Sequence, residues 1–268
     1  PPTGQAARAL CAHLDCVSVE RIEEELSKLL AAPAPAAYLD EKILKVIIPE
    51  LSALALQAAK PVVDACPAGT EDLPVRWAAL LMSLGEDGTR KALKRLRCSN
   101  TCIEQTAVLV REVHPGAFSS DTIWGIPSPA LLPAAAGAHP PDGPQRNSRT
   151  GLGQAPAAPD TAIRIRKLLG RYDLHTVQRL AALGAAMEPE QAADFAAQAE
   201  LAAQLDADGV CCRVSQLAVN GRDLMAAGIP AGPALRRVLE ALLDGVIRAE
   251  YPNEKPALLA AAQKIIAS

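Results

Sequence analysis

Aromatic residues are scarce in this chain. Phe, Trp and Tyr make up 3% of its 268 residues. Strand-built cores draw heavily on such side chains, so an all-β fold is disfavoured and an Ala- and Leu-rich all-α fold is expected. Histidine is equally thin. His13, His114, His139 and His175 lie far apart, with no carboxylate or histidine partner at i, i+4, so no histidine-based metal site is read from spacing. No uninterrupted apolar run reaches the roughly 18 residues of a membrane-spanning helix, and no membrane partner is expected. The 17 Gly and 22 Pro follow no triplet period, which excludes a collagen-like chain. A hydrophobic content of 50% is too high for a disordered one.

The 7 cysteines lack paired C-x-x-C spacing. Cys11, Cys16, Cys66, Cys98, Cys102, Cys211 and Cys212 are therefore read as buried or incidental thiols of a reducing, cytoplasmic protein. There is no P-loop and no G-x-S-x-G. Gly151-Leu152-Gly153 is neither preceded by a strand nor closely followed by a helix. Asp206-Ala207-Asp208 has D-x-D spacing, but it closes an Ala-rich helix before Gly209, where acidic turn residues are ordinary. No catalytic residue and no metal ligand is predicted. The chain opens Pro1-Pro2-Thr3 without Met, and a fragment of a longer polypeptide is expected.

Charge is unevenly spread. The formal net charge is −3, yet residues 90–111 carry net +5 and residues 164–181 net +4, against −6 for residues 1–89 and −4 for residues 182–268. Two short basic islands in an acidic background suit a local phosphate-facing surface.

The hydrophobic spacing predicts successive helices. The first covers residues 18–30, with Ser18 as N-cap and Ile22, Leu26, Leu29 and Leu30 as its apolar stripe. A second is expected from Ala36 to Ile47, and a third around 51–59. Pro74 should sit in the first turn of a buried helix running through Leu84 to Gly85. Residues 89–97 should form a helix with Arg90, Lys94 and Arg97 on one face, Lys91 and Arg95 flanking it, and Ala92, Leu93 and Leu96 on the core side. Thr101 and Glu104 fit a capping box for the next helix, which Pro115 ends.

Residues 115–160 are rich in Pro, Gly, Ala and Ser and are expected to form a flexible insertion. Helix resumes at Asp160 or Thr161, with Arg164, Lys167 and Arg171 along one side and Arg166 beside them. A long Ala-rich helix is expected over 188–205. A short helix follows Asn220, with Gly228 past its end. Gly232-Pro233 starts an amphipathic helix through Ile247, and Asn253 is expected to cap the last one.

Several of these strings resemble one family. Ser18-x-Glu20-Arg21-Ile22-x-x-Glu25-Leu26 resembles the neck of CCA-adding tRNA nucleotidyltransferases and bacterial poly(A) polymerases. Val75-Arg76-Trp77-Ala78-Ala79-Leu80-Leu81, followed by Leu93-Lys94-Arg95-Leu96-Arg97-Cys98-Ser99-Asn100, is similar to their body. Leu217-Ala218-Val219-Asn220-Gly221-Arg222-Asp223-Leu224, Gly228-Ile229-Pro230-x-Gly232-Pro233 and Tyr251-Pro252-Asn253 are similar to the tail of the bacterial CCA-adding enzymes. The resemblance implies an elongated helical array. Residues 1–60 would be neck and start of body, 61–114 body, 115–160 the insertion, 161–185 body-to-tail helices and 186–268 tail.

The resemblance also implies what to expect of function. The family's catalytic head, with its D-x-D metal motif and nucleotide-reading element, would lie outside this chain. Mg2+, CTP and ATP would then be cofactor and substrates of the parent enzyme, with none bound by this chain. Where some relatives carry an HD metal pair, Met82-Ser83 stands. The expected partner is tRNA, gripped along the acceptor–T arm and elbow. Arg90, Lys91, Lys94, Arg95, Arg97, Arg164, Arg166, Lys167, Arg171, Arg222, Arg236 and Arg237 are the candidate RNA-binding residues. The alternative is a helical scaffold of the same descent that binds a protein partner.

Overall fold

The computed structural model describes residues 16–113 and 159–267. The described residues are all-α, without a strand, and form an elongated array. The expected insertion at 115–160 lies outside them, except for Pro159 and Asp160. His114, with the Pro115 stop that follows it, also lies outside them.

Helix α1 is Val19–Ala31, and the Ser18 hydroxyl accepts from the Arg21 N–H as an N-cap should. Leu26 and Leu30 are buried, while Ile22 and Leu29 pack against the same core. The second expected helix is divided. Residues Pro35–Tyr38 form a 3-10 turn, and α2, Glu41–Ile47, starts only after Asp40. The Asp40 carboxylate accepts from the N–H groups of Lys42 and Ile43, and this local cap breaks the run from Ala36.

Helix α3, Ala53–Ala65, outruns its predicted end and carries Pro61 inside it. Proline there forfeits a helical hydrogen bond. Fully buried Val63 and nearly buried Cys66 anchor the half beyond it and offset that loss. Helix α4, Leu73–Leu81, has Pro74 in its first turn, and every residue from Pro74 to Leu81 is buried. A 3-10 turn, Met82–Leu84, leads into α5, Gly85–Arg95.

Arg97 does not continue the face of Arg90 and Lys94. Helix α5 ends at Arg95, and Arg97 has a left-handed φ of 61°. The Cys98 N–H reaches back to the Leu93 carbonyl at 3.1 Å, closing the helix in a Schellman-type turn. Helix α6, Asn100–Val113, is capped by Ser99, whose hydroxyl accepts from the Cys102 N–H. The expected Thr101–Glu104 box is not formed, because the helix starts at Asn100 and Thr101 already lies within it; Glu104 pairs with Arg90.

Helix α7, Pro159–Arg171, already includes Asp160 and Thr161, so neither is its cap. Gly170 was expected to weaken this helix, but its lack of a side chain has a packing reason. A Cβ there would lie 2.4 Å from the Cys212 carbonyl oxygen. The sequence reading placed no helix at α8, Leu174–Met187, which is capped by Asp173. The Ala-rich helix starts later than expected, as α9, Ala192–Ala207. Helices α8 and α9 approach closely at Gly184, where a Cβ would meet the Phe195 ring at 2.5 Å.

The C-terminal elements are α10, Gly221–Ala226, α11, Pro233–Ile247, and α12, Lys255–Ala267. Asn220 caps α10, Gly232 precedes α11 with φ 118°, and Pro233 opens it. Asn253 does not cap α12. Its side chain accepts from the Ala218 N–H and donates to the Gln216 carbonyl, each at 2.9 Å. It pins the 216–218 loop to the end of the chain, and the Glu254 carbonyl takes the first helical bond of α12.

The apolar side chains form two clusters. One gathers residues from α1 through α9. The other contains Leu217, Val219, Leu224, Val238, Leu242 and Leu258 from the segments around α10–α12. Each fully buried Leu or Val is worth about 1.5–3 kcal/mol. Between the clusters the ties are polar. Arg166 donates to the Ile247 carbonyl at 3.0 Å, and Lys167 pairs with Asp244 at 2.9 Å. Arg213 donates to the carbonyls of Leu169 and Tyr172. Arg166 and Arg213 each place a cation on helix C-terminal carbonyls, where the helix dipole favours positive charge.

Burial also fixes the chemistry of the thiols. Desolvation pushes Cys66 and Cys98 up to about 12 from an ordinary 9.0, whereas Cys16 is exposed. Iodoacetamide at pH 8 should label Cys16 and spare Cys66 and Cys98 until urea unfolds the chain, as read by peptide mass spectrometry. The raised folded-state values have a pH consequence. The stability they carry is full below about pH 9 and declines as pH rises toward 12, because the unfolded thiols ionise first.

Candidate nucleic-acid interface

The twelve candidate basic residues fall into two groups once folded. Arg90, Arg95, Arg97, Arg166, Lys167 and Arg236 are engaged by other protein groups. Arg90 is held by Glu86 at 3.0 Å and by Glu104. These two carboxylates raise its pKa, and Arg90 in turn lowers that of Glu104. Arg97 pairs with Glu20 across 77 positions of sequence. Arg95 donates to both carboxylate oxygens of Glu50 and to the Ile47 carbonyl. Arg236 pairs with Glu240 one turn along α11 at 2.8 Å.

Lys167 belongs to Asp244, which also takes Arg248 at 2.6 Å. Burial works to raise the pKa of Asp244, but the hydrogen bonds from Lys167 and Arg248 outweigh it and keep the carboxyl below its ordinary value. Much of the positive charge counted in residues 90–111 is therefore met by acids from elsewhere in the chain. The island is a weaker phosphate attractor than its composition suggests.

The second group is Lys91, Lys94, Arg164, Arg171, Arg222 and Arg237. All are exposed, and none makes an ion pair with another described residue. Lys91 and Lys94 are one turn apart on α5. Arg164 and Arg171 are two turns apart on one side of α7, roughly 10 Å along its axis. Arg237 follows the open start of α11, where Gly232 supplies no side-chain cap. Free cations with mobile water around them can exchange that hydration for phosphate oxygens without first breaking an internal pair.

The sequence reading missed Arg76, Arg111 and Arg213 as structural groups. Arg76 is 2% exposed and donates to the carbonyls of Cys66, Pro67, Leu30 and Ala32. It closes the ends of α1 and α3 onto α4. Arg111 bridges Glu86, Glu112 and the Tyr172 hydroxyl. An arginine within an apolar run, such as Arg76 in Pro74–Leu81, is the sequence signal for such a buried role.

Among the described residues stacking surfaces are few. Trp77 is fully buried, Phe195 is 5% exposed, and Tyr38 is 72% exposed. Tyr172 is occupied by Arg111 and Glu112, and the Tyr251 ring lies over Gly245. A groove of about 290 Å³ between α1 and α2 is lined chiefly by Ile22, Leu29, Leu39, Ile43 and Ile47. Its aliphatic walls offer no arrangement for acid–base or nucleophilic chemistry. Among the described residues no cluster of three or more His, Cys, Asp or Glu could hold a metal ion. Met82 faces the core and Ser83 faces solvent. No helix among the described residues is long and apolar enough to cross a membrane.

Two family models match the chain. Residues 171–262 match "tRNA nucleotidyltransferase domain 2 putative", and residues 1–54 match "Probable RNA and SrmB- binding site of polymerase A". A CCA-adding enzyme of Levilactobacillus brevis is 56% identical over 45 residues, 17% of this chain and 11% of the relative. The chain thus resembles tRNA nucleotidyltransferases. The matched segments support a C-terminal region of a CCA-adding enzyme. The stretch shared with the Levilactobacillus enzyme spans about a tenth of that relative's length. No solved structure matches.

The 171–262 segment holds Arg171, Arg222, Arg236 and Arg237. Helices α4 to α6, with Lys91 and Lys94, and Arg164 of α7 lie between the two matched segments.

Proposed function

We propose that this chain is the tRNA-holding part of a CCA-adding enzyme. It positions folded tRNA, while the parent enzyme adds CMP and AMP from CTP and ATP. The reading rests chiefly on one observation: exposed cations without an internal partner sit on α5, α7 and α11 of a chain whose matched segments carry tRNA-nucleotidyltransferase and RNA-binding descriptions. The shortage of exposed aromatic side chains among the described residues supports recognition of duplex shape and backbone over single-strand stacking. Double-stranded parts of tRNA, the acceptor–T arm and elbow, are the surfaces such a grip would meet.

Among the described residues no group of three or more His, Cys, Asp or Glu donors could hold the parent's Mg2+, so no transfer step runs through them. The head that would supply those donors is the missing partner of this proposal. A cytoplasmic location goes with it.

The test is equilibrium binding of the purified chain to a tRNA transcript at 50 to 300 mM KCl, beside a single-stranded RNA of equal length. The expected result is preference for tRNA, with log Kd rising linearly with log salt at a slope of at least about 5, roughly 0.9 for each phosphate met by the six unpartnered cations. Equal binding to both RNAs, or a flat salt dependence, counts against the proposal.

A further inference from the structure

The C-terminal ends of α2 and α5 are joined through one side chain.

Arg95 lies at the C-terminal end of α5, and its guanidinium reaches α2 and the turn after it. One Nη takes the Ile47 carbonyl at 3.2 Å and Glu50 Oε2 at 2.8 Å, and the other takes Glu50 Oε1. This is a forked, bidentate contact of the kind only arginine makes. It fixes the C-terminus of α2 against the C-terminus of α5. The Arg95 guanidinium holds the pKa of the Glu50 carboxyl below its ordinary value, and Glu50 raises that of Arg95.

The two helices that this contact joins each carry an exposed lysine pair. Lys91 and Lys94 belong to α5. Lys42 and Lys45 belong to α2, three positions apart and therefore on one face. All four are exposed and make no ion pair with another described residue. The fork neutralises Glu50, which leaves Glu41 and Asp87 as the other carboxylates on these two helices' exposed sides. The balance around the strut is positive, although the first 89 residues as a whole are acidic. Lys42 and Lys45 also fall inside the 1–54 segment matched to an RNA-binding description.

We infer that the phosphate-binding surface extends from α5 onto α2, and that Arg95 is its positioning residue and not a phosphate ligand. Lys42 and Lys45 are ligands for RNA backbone phosphates, and the Arg95–Glu50 fork sets the spacing between the two lysine pairs. The inference rests on the tRNA-holding function, and its test separates the two.

The probe is the same tRNA transcript, titrated against the full chain at several KCl concentrations. The variants are K42Q/K45Q, K91Q/K94Q, the combination of all four, and each of these with Arg95→Ala or Arg95→Lys. The pair K42Q/K45Q should weaken binding about 10-fold at 100 mM KCl and lower the salt slope by about 2. With Arg95 present, the two pairs should show coupling in a double-mutant cycle. Arg95→Ala should abolish that coupling without lowering the slope by a further unit, since no phosphate contact is lost with it. Arg95→Lys, which cannot fork, should behave like the alanine variant.

Wild-type binding with an unchanged K42Q/K45Q affinity and slope would overturn the α2 surface while leaving the tRNA reading intact. A loss of slope in Arg95→Ala equal to that of a lysine substitution would overturn the positioning role. No tRNA binding by the wild-type chain overturns both. Circular dichroism of each variant separates lost contacts from lost folding.

Discussion

Arg76→Ala should be the most destabilising single substitution in the chain, at about 3–5 kcal/mol. The Arg76 guanidinium is buried, and its Nε and both Nη groups serve the carbonyls of Pro67, Cys66, Leu30 and Ala32. Those carbonyls end α1 and α3 and would otherwise lie unsatisfied beneath α4. Alanine removes every donor at once and leaves a cavity beside Trp77. Lysine keeps the charge but has one nitrogen, so it should recover only part of the loss. Urea unfolding followed by far-ultraviolet circular dichroism reads the effect. An Arg76→Ala midpoint within about 0.5 kcal/mol of wild type would show that these carbonyls find other partners without strain.

The same residue shows where the sequence stops being legible. Helix periodicity identified the starts of α1, α4, α10 and α11, because Ser18, Pro74, Asn220 and Gly232-Pro233 act on their own neighbours. The split at Asp40 and the cap at Ser99 were missed because neighbouring polar side chains offer competing starts, Asp40 within the run from Ala36 and Ser99 just before Thr101. Helix α8 was not read from spacing within the 161–185 helical region, because three of its seven buried residues, Ala181, Gly184 and Ala186, are small and a fourth is Arg179.

The candidate interface was legible by position and not by state. Every basic residue was visible, but whether a carboxylate 45 or 77 positions away would occupy it was not, as with Arg95 and Arg97. Asn253 is a similar case. A cap was the local reading, and a loop 35 and 37 positions upstream is what it holds.

The second large effect follows from that division of cations. Replacing Lys91, Lys94, Arg164 and Arg171 together by Gln should weaken tRNA binding roughly 100-fold at 100 mM KCl. Each free cation that meets a phosphate releases a condensed counterion, and four such losses remove most of the electrostatic drive. Stability should change little, because the four are exposed and hold no internal partner, and surface charges of this kind are worth within about 0.5 kcal/mol each. The matched control replaces Arg90, Arg97, Lys167 and Arg236 by Gln. These are already claimed by Glu86 and Glu104, Glu20, Asp244 and Glu240. Their removal frees carboxylates and should cost some affinity through added negative charge, but far less slope.

The salt titration of these two quadruple variants beside wild type is the decisive measurement. The unpartnered set should lower the slope of log Kd against log salt by roughly 3 to 4, and the partnered set by less than 1. Equal slopes for the two variants, or the larger fall in the partnered set, would contradict the division into phosphate-facing and structural cations on which the account depends.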